Sequence, residues 1–438
     1  MNVSKRILFF KSKKAGHLLF CGNSNSFYQI EDELAPKIKK MIESGDSSEL
    51  PEDVIKEFTK SGVLLKENED EFFNRMKYIS YLTRFDNSAL TLTITPTMAC
   101  NFCCSYCYEG NRVHNAVMSD EVMDAIINYI KKKEVKTLNL YWYGGEPLCA
   151  WPKILQFNER IKELNIPNYT QRIVTNGSLM DEEKIKYFID NDFKTVQITL
   201  DGNEEVQNKR RPMKDGGNSY CAIIGNLDKA YKYCKENNKT INIVIRINID
   251  QDNIALYPDL HKTLEERYEG MFSIYPAFVK NYLESDCHAN NCLTFEKSAD
   301  FIINLSKKYG IYTFSLFPKQ NLIMNCPAQK VNTYVIGTNG DMYKCWDDIC
   351  MEDRKLGNIL TGIKDTHNIN PLFVMKSSAF ENEKCKNCLF LFSCMGGCAR
   401  SRFTNEEAKY EVNPLCHYIT NNPQEFLEEY YELKMKGK

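Results

Sequence analysis

The chain has almost no net charge, no long hydrophobic run and no segment resembling an export signal. Its 56 Lys and Arg nearly balance 58 Asp and Glu, for a formal net charge of −2. That balance provides no electrostatic footprint for nucleic acid or an anionic membrane surface. No stretch approaches the ~20 consecutive apolar residues of a spanning helix. The N-terminal apolar run, Ile7 to Phe10, is far shorter than a secretory h-region. A soluble, cytoplasmic protein is therefore expected. Its 438 residues, 43% of them hydrophobic, suffice for two or three domains.

Cysteine is what the chain has in excess. In a small secreted domain its eighteen cysteines would suggest disulfides. In a large chain without a leader, clustered cysteines are more often metal ligands. One cluster is Cys100-Asn101-Phe102-Cys103-Cys104-Ser105-Tyr106-Cys107, where Cys100, Cys104 and Cys107 are separated by three and then two residues. Three thiolates at that spacing can wrap one iron–sulfur cube and leave its fourth iron open to a small molecule. Cys103 falls outside the spacing and reads as a spare thiol. The second cluster runs Cys326, Cys345, Cys385, Cys388, Cys394, Cys398 and Cys416. The other cysteines (Cys21, Cys103, Cys149, Cys221, Cys234, Cys287, Cys292 and Cys350) read mostly as small hydrophobes.

Residues 1–70 read as a small separate unit. Apolar segments Ile7–Phe10, Leu18–Cys21 and Phe27–Ile30 are broken by the turn-forming run from Gly22 to Ser26. Two helical patterns follow, Glu31–Ser44 and Pro51–Ser61, then an apolar strand Gly62–Leu65. Residues 71–89 suggest a helical connector. From 90 to 310, short strands alternate with amphipathic helices, which argues for a parallel α/β sheet with crossover helices. The predicted strands are Leu90–Ile94, Thr137–Trp142, Gln171–Thr175, Thr195–Leu200, Ile241–Ile249 and Met271–Pro276. The helices include Ser119–Lys132, Asp181–Asp190 and Ala222–Lys235. Six strands suit an open arc rather than a closed eight-fold barrel. Residues 311–438 hold the second cysteine group.

In such a sheet, ligands are met at the C-terminal strand ends. Gly144-Gly145-Glu146-Pro147 follows the second strand: its glycines admit a close approach, and Glu146 offers an acceptor for an ammonium. Thr175-Asn176-Gly177-Ser178 closes the third strand and Thr199-Leu200-Asp201-Gly202 the fourth. Arg210 and Arg211 follow, and Arg246 and Asn248 share one face of the fifth strand by alternation. Each of these is also compatible with ordinary turn chemistry or a solvated charge.

The cysteine triplet, with Tyr106 before its last member and a hydrophobic strand before its first, resembles the radical S-adenosylmethionine enzymes. The resemblance implies a partial (β/α)6 TIM-like barrel. It also implies an open iron that chelates the amine and carboxylate of S-adenosyl-L-methionine, which the reduced cluster cleaves to a 5′-deoxyadenosyl radical. Gly144, Gly145, Glu146 and Pro147 resemble the family's GGEP motif, which binds the methionyl amine. By the same resemblance Tyr106, Asn176, Ser178, Thr199, Asp201, Arg211, Arg246 and Asn248 fall around the cofactor, with Arg210 or Arg211 toward its carboxylate.

The seven C-terminal cysteines, with Gly340 four intervening residues before Cys345, resemble the SPASM extension, which holds two auxiliary [4Fe–4S] clusters. That implies one cluster on Cys385, Cys388, Cys394 and Cys416. The other falls to Cys326, Cys345 and Cys398, with Cys350 or an open iron completing it. Three [4Fe–4S] clusters in all are expected; structural zinc is the alternative for this array. Residues 1–70 resemble the winged-helix leader-recognition domain of peptide-modifying radical enzymes.

These likenesses predict an oxidoreductase that installs a thioether or carbon–carbon crosslink in a ribosomally made precursor peptide. The precursor would be held through its leader, and reduced flavodoxin or ferredoxin would donate electrons; no nucleic acid or membrane partner is expected. The alternative is a sulfatase-maturating, formylglycine-generating enzyme. Against it, the barrel starts far from the N-terminus, and Trp346 follows Cys345 where those enzymes tend to carry aspartate. Asp347 and Asp348 come next, and a carboxylate there could take the proton released on crosslinking. A ferredoxin-like carrier or a leader-binding scaffold would need no amine site such as Gly144–Pro147.

Overall fold

A computed structural model describes residues 1–109, 115–191, 193–280, 291–313, 316–317, 324, 326–409 and 411–435. Cys287 lies outside them. The chain divides into one unit of Met1–Phe85, Phe295–Lys330 and Phe373–Lys438, and another of Asp86–Thr294 and Val331–Leu372. Chain order and unit order thus part company after residue 294.

In the first unit, β1 (Asn2–Val3) pairs antiparallel with β5 (Leu64–Leu65), while β2 (Ile7–Ser12), β3 (Gly16–Cys21) and β4 (Ser26–Ile30) form an antiparallel meander. Helices Ala35–Ser44 and Glu52–Ser61 pack on it through Ile38, Met41 and Phe58, against Leu19, Val63 and Leu64. A third helix, Glu69–Arg84, starts in a capping box: Asn68 Oδ1 accepts from Glu71 N (2.8 Å), and Asn68 N donates to Glu71 Oε2 (3.0 Å). This helix overlaps the segment 71–89 and belongs to a core. Phe72 and Met76 are buried with Leu65 among Phe380, Leu391, Phe392 and Met395, at about 1.5–3 kcal/mol for each large apolar side chain. Residues 1–85 therefore share their apolar interior with the C-terminal cysteine-rich segment.

The second unit is built on a mixed sheet. β6 (Ala89–Ile94), β7 (Thr137–Trp142), β8 (Asn168–Thr175), β9 (Phe193–Thr199), β10 (Ile243–Ile249) and β11 (Ser273–Phe278) lie parallel and in chain order. These are the six strands the sequence pattern predicts, with ends shifted by a few residues. A seventh parallel strand, β12 (Thr333–Ile336), joins the free side of β6 in the register Thr91 to Thr333 and Ile94 to Ile336. Antiparallel β13 (Asp341–Tyr343), β14 (Gly357–Asn358) and β15 (Gly362–Ile363) continue the sheet. A four-residue strand with a remote partner leaves too short a pattern to find by periodicity.

Parallel pairing demands crossovers, and the helices form where caps permit. Ser119 Oγ accepts from Val122 N (3.3 Å) at the start of Asp120–Lys133, whose Val122, Met123, Ile126, Ile127 and Ile130 are buried. Asp181 and Asn218 cap Glu182–Asp190 and Ser219–Asn237 in the same way. The result is a partial barrel whose strands all deliver their C-terminal ends to one place.

Candidate active site and cysteine arrays

Cys100, Cys104 and Cys107 leave β6 in a loop pinned by backbone bonds from Cys103 N to Pro212 O (2.9 Å) and Ser105 N to Arg210 O (3.0 Å). The three thiols line a cavity of about 310 Å³ together with Gly144, Gly145, Glu146, Thr175, Asn176, Thr199, Arg211, Arg246 and Asn248. Cys103 is exposed and does not line it. Burial, reinforced by the Glu146 carboxylate, pushes the Cys100 thiol up to about 12, and burial with Glu109 does the same for Cys107. Burial also raises Cys104, against the pull of the Arg211 guanidinium. Metal loading here must therefore displace protons.

The two glycines after β7, besides lining the cavity, meet the cysteine loop itself. A Cβ on Gly145 would lie 2.4 Å from Met98 O and 2.5 Å from Ala99 O; on Gly144, at φ +124°, one would lie 2.5 Å from Thr97 O. Gly145 N donates to Thr97 O (3.3 Å) and Glu146 N to Ala99 O (2.8 Å), so this turn braces the entry to Cys100. Gly145→Ala should destabilise the metal-free protein by about 1–3 kcal/mol, as overpacking does, which denaturant titration will show.

Pro147 opens a short 3-10 turn, and Glu146 caps it with a fully buried carboxylate. Glu146 Oε1 accepts from Leu148 N (3.0 Å) and Thr175 Oγ1 (2.7 Å), and Oε2 from Asn176 N (2.7 Å). Burial raises its pKa against these bonds. Oε2 keeps acceptor capacity for one more donor. Asn176 and Ser178 turn toward the loop as well: Asn176 Nδ2 donates to Asn101 Oδ1 (2.8 Å), and Asn101 Nδ2 to Ser178 Oγ (2.9 Å). Asn176 also lines the cavity; Ser178 does not.

Tyr106 is held from three sides. Its hydroxyl donates to Asp201 Oδ2 and accepts from Arg211 Nη1 (2.8 Å) and Asn248 Nδ2 (3.0 Å). Asp201 sits behind Tyr106, off the cavity, and also takes a bond from Asn248 N (3.0 Å). Of the two arginines, Arg211 faces the cavity. Arg210 is bound to Asp250 (2.6 Å) and lies 3.7 Å from Asp201. Among the described residues Arg211 Nε is buried without a hydrogen-bond partner, an orphan donor that suits an anionic occupant. Arg246 Nε bonds Asn248 Oδ1 (2.8 Å), which orients both.

The cavity also contains residues the sequence reading passed over: Tyr108, Glu109, Tyr143 and Gln197. The Tyr108 hydroxyl lies 2.9 Å from that of Tyr143 and 3.3 Å from Glu109 Oε1. Trp346 stacks on Tyr143 with centroids 5.7 Å apart, giving the cavity an aromatic wall. Only the adjacency of Tyr108 to Cys107 and of Tyr143 to Gly144 could have flagged them. Asp347 lines the same cavity, whereas Asp348 is buried away from it. The expected carboxylate pair is thus divided, with Asp347 alone facing the site.

In the other unit, Cys385, Cys388, Cys394 and Cys416 line one cavity of about 480 Å³ with Lys384, Arg402, Glu411 and His417. Burial raises the Cys388 thiol, and the neighbouring Cys394, Cys385 and Cys416 add to the rise. Burial lowers the His417 imidazole to about 4. Cys326 precedes the turn Pro327–Gln329, Cys345 the turn Trp346–Asp348, and Cys398 caps Ala399–Ala408. Cys350 is exposed, at φ +65°. Among the described residues no three His, Cys, Asp or Glu side chains converge on a point as a single-ion site would require.

Residues 94–256 match the Radical SAM superfamily. The chain is 28% identical over 368 residues to the cysteine-type anaerobic sulfatase-maturating enzyme of Clostridium perfringens (strain 13 / Type A), spanning 75% of this chain and 93% of that one. The structure of polyhistidine-tagged anSMEcpe with bound AdoMet aligns with a TM-score of 0.62 at 21% identity, over 80% of this chain and 94% of that one. Streptococcus suis SuiB bound to precursor peptide SuiA aligns with a TM-score of 0.53 at 17% identity, over 95% of this chain and 99% of that one. Both structural likenesses are of fold. Residues 94–256 are a radical SAM domain.

Proposed function

We propose that this chain is a peptide maturase that oxidatively installs a thioether or carbon–carbon crosslink in a ribosomally made precursor. The observation that carries this reading is the extent of the fold likeness. A protein solved with its precursor peptide matches 95% of the chain, against 80% for the anSMEcpe structure. A match that wide takes in part of the N-terminal meander and helices, the segment read as leader-binding.

When bound, S-adenosylmethionine on a [4Fe–4S] cluster held by Cys100, Cys104 and Cys107 supplies a 5′-deoxyadenosyl radical, and auxiliary [4Fe–4S] clusters supply an acceptor for the electron left over when the peptide loses two hydrogens. Cys385, Cys388, Cys394 and Cys416 would hold one auxiliary cluster. Cys326, Cys345 and Cys398 would hold the other, with Cys350 or an open position completing it. Arg211, with its free Nε, would take a ligand carboxylate, and the spare acceptor of Glu146 an ammonium. Gln197, Thr199, Arg246 and Asn248 offer polar contacts for the remainder, and Tyr106 keeps Arg211 and Asn248 in place. Trp346 and Tyr143 wall the cavity against water. Asp347 takes the proton that leaves the peptide as the new bond closes. Reduced flavodoxin or ferredoxin would donate the electron that starts each turnover.

Sulfatase maturation is the second reading, favoured by the 28% identity across 93% of a curated relative. Leader dependence tests the first. Removing the leader should raise KM by about tenfold or more, ~1.4 kcal/mol, and leader peptide alone should inhibit crosslinking while sparing uncoupled cofactor cleavage. A leaderless core modified with unchanged KM would remove the reading.

A further inference from the structure

Among the described residues Arg402 is a buried cation without a counter-ion. The residue is 5% exposed and lines the cavity formed by Cys385, Cys388, Cys394 and Cys416. Its Nη2 donates to Gly396 O (2.7 Å) and lies 3.9 Å from Cys385 Sγ, and its Nε is buried with no partner. Neither contact is a carboxylate. Arg6 reaches the same cysteine loop through Lys386 O (2.5 Å), but it carries its own counter-ion in Glu69.

A guanidinium placed this way is expensive unless an anion completes it. Neutral thiols do not supply that charge; thiolates around a bound group do. The backbone is shaped to admit the cation: Gly396 sits at φ +90°, and a Cβ there would lie 3.0 Å from Arg402 Nη2 and 2.9 Å from Ala379 Cβ. A side chain at this position would therefore crowd the guanidinium beside the sulfur.

We propose that Arg402 is a positioning residue for an anionic iron–sulfur group in this cavity, donating to the Cys385 sulfur and stabilising the more negative, reduced state. The inference rests on the auxiliary-cluster reading above. Net charge and hydrogen bonds to sulfur are what set such potentials. Arg402 thereby makes this site easier to reduce, the property an electron acceptor needs.

The test is a dye-mediated redox titration followed by electron paramagnetic resonance, in a Cys100/Cys104/Cys107→Ala background so that only auxiliary clusters report. In Arg402→Gln, one cluster should show its reduced-to-oxidised ratio at fixed potential fall about tenfold, which is ~59 mV for a one-electron couple. Arg402→Lys should shift less, because it keeps the charge and loses the fork. Loss of one cluster's iron from the Gln variant, with retention in the Lys variant, also supports the proposal. Unchanged potential and iron content in the Gln variant overturn it. If neither variant folds, hyperfine spectroscopy with guanidinium-labelled arginine in the triple-alanine protein carrying Arg6→Lys decides: coupling to a reduced cluster supports the role, and its absence overturns it. Zinc in place of iron in the unmodified C-terminal array would overturn the auxiliary-cluster reading as well, an outcome separable from iron with unchanged potential.

Discussion

Asp347→Asn should leave the release of 5′-deoxyadenosine intact and slow crosslink formation by about 10²–10⁴-fold, the range for a positioned general base. The expectation follows from where the side chain is. Asp347 lies in the short turn after Cys345 and faces the cavity of the cysteine triplet and Arg211, while Tyr143 and Trp346 form the adjoining wall. Asparagine fills the same space and keeps the turn, so the cofactor-facing residues stay in place, but it does not accept the proton. Cofactor cleavage therefore becomes uncoupled, and the ratio of 5′-deoxyadenosine to crosslinked peptide rises. Liquid chromatography of both products gives that ratio directly. Asp348→Asn is the comparison: its carboxyl is buried off the cavity, so the ratio should not move. Equal loss of both products in Asp347→Asn would place Asp347 in cofactor binding instead.

The Cys100/Cys104/Cys107→Ala variant should lose cofactor cleavage altogether and about four of about twelve irons after anaerobic reconstitution, one four-iron cube of three. Cys326, Cys385, Cys388, Cys394, Cys398 and Cys416 belong to a different compact unit, and Cys345, which shares the triplet's unit, is unsubstituted, so the irons of the C-terminal array should remain. The metal-free variant should fold. Three half-buried thiols become smaller apolar groups, and the loop keeps its backbone bonds to Pro212 and Arg210 as well as the Asn101–Asn176–Ser178 network. Iron and sulfide analysis checks the count. Full cofactor cleavage by the variant would show that the radical arises elsewhere.

The parts of the site that were legible in the sequence are those fixed by short-range spacing. The cysteine triplet, Gly144–Pro147 and the strand ends carrying Thr199, Arg246 and Asn248 lie within single loops or strands, and alternation assigns their faces. What was not legible depends on segments brought together from far apart. Nothing local to Gly145 says that Met98 and Ala99 would press against it. Asn176 and Ser178 were read as cofactor residues because they follow a strand end; Asn101, in the cysteine loop, also accepts from Asn176 and donates to Ser178. The choice between Arg210 and Arg211 needed Asp250, contributed by the segment after β10. β12 escaped because four residues carry little periodicity, and its partner β6 is remote in sequence. Nothing local in sequence singles out Arg402; its burial and its place beside Gly396 do.

The central claim is oxidative modification of a precursor peptide, and mass spectrometry of two peptides under one set of conditions tests it most directly. Reconstituted, reduced protein with S-adenosylmethionine is offered a leader-bearing precursor encoded beside its gene and, separately, a sulfatase-derived cysteine peptide. The account predicts loss of two hydrogen atoms from the precursor, with 5′-deoxyadenosine formed alongside and the sulfatase peptide unchanged. An unmodified precursor, together with exchange of the cysteine sulfur for an aldehyde oxygen in the sulfatase peptide, would contradict it.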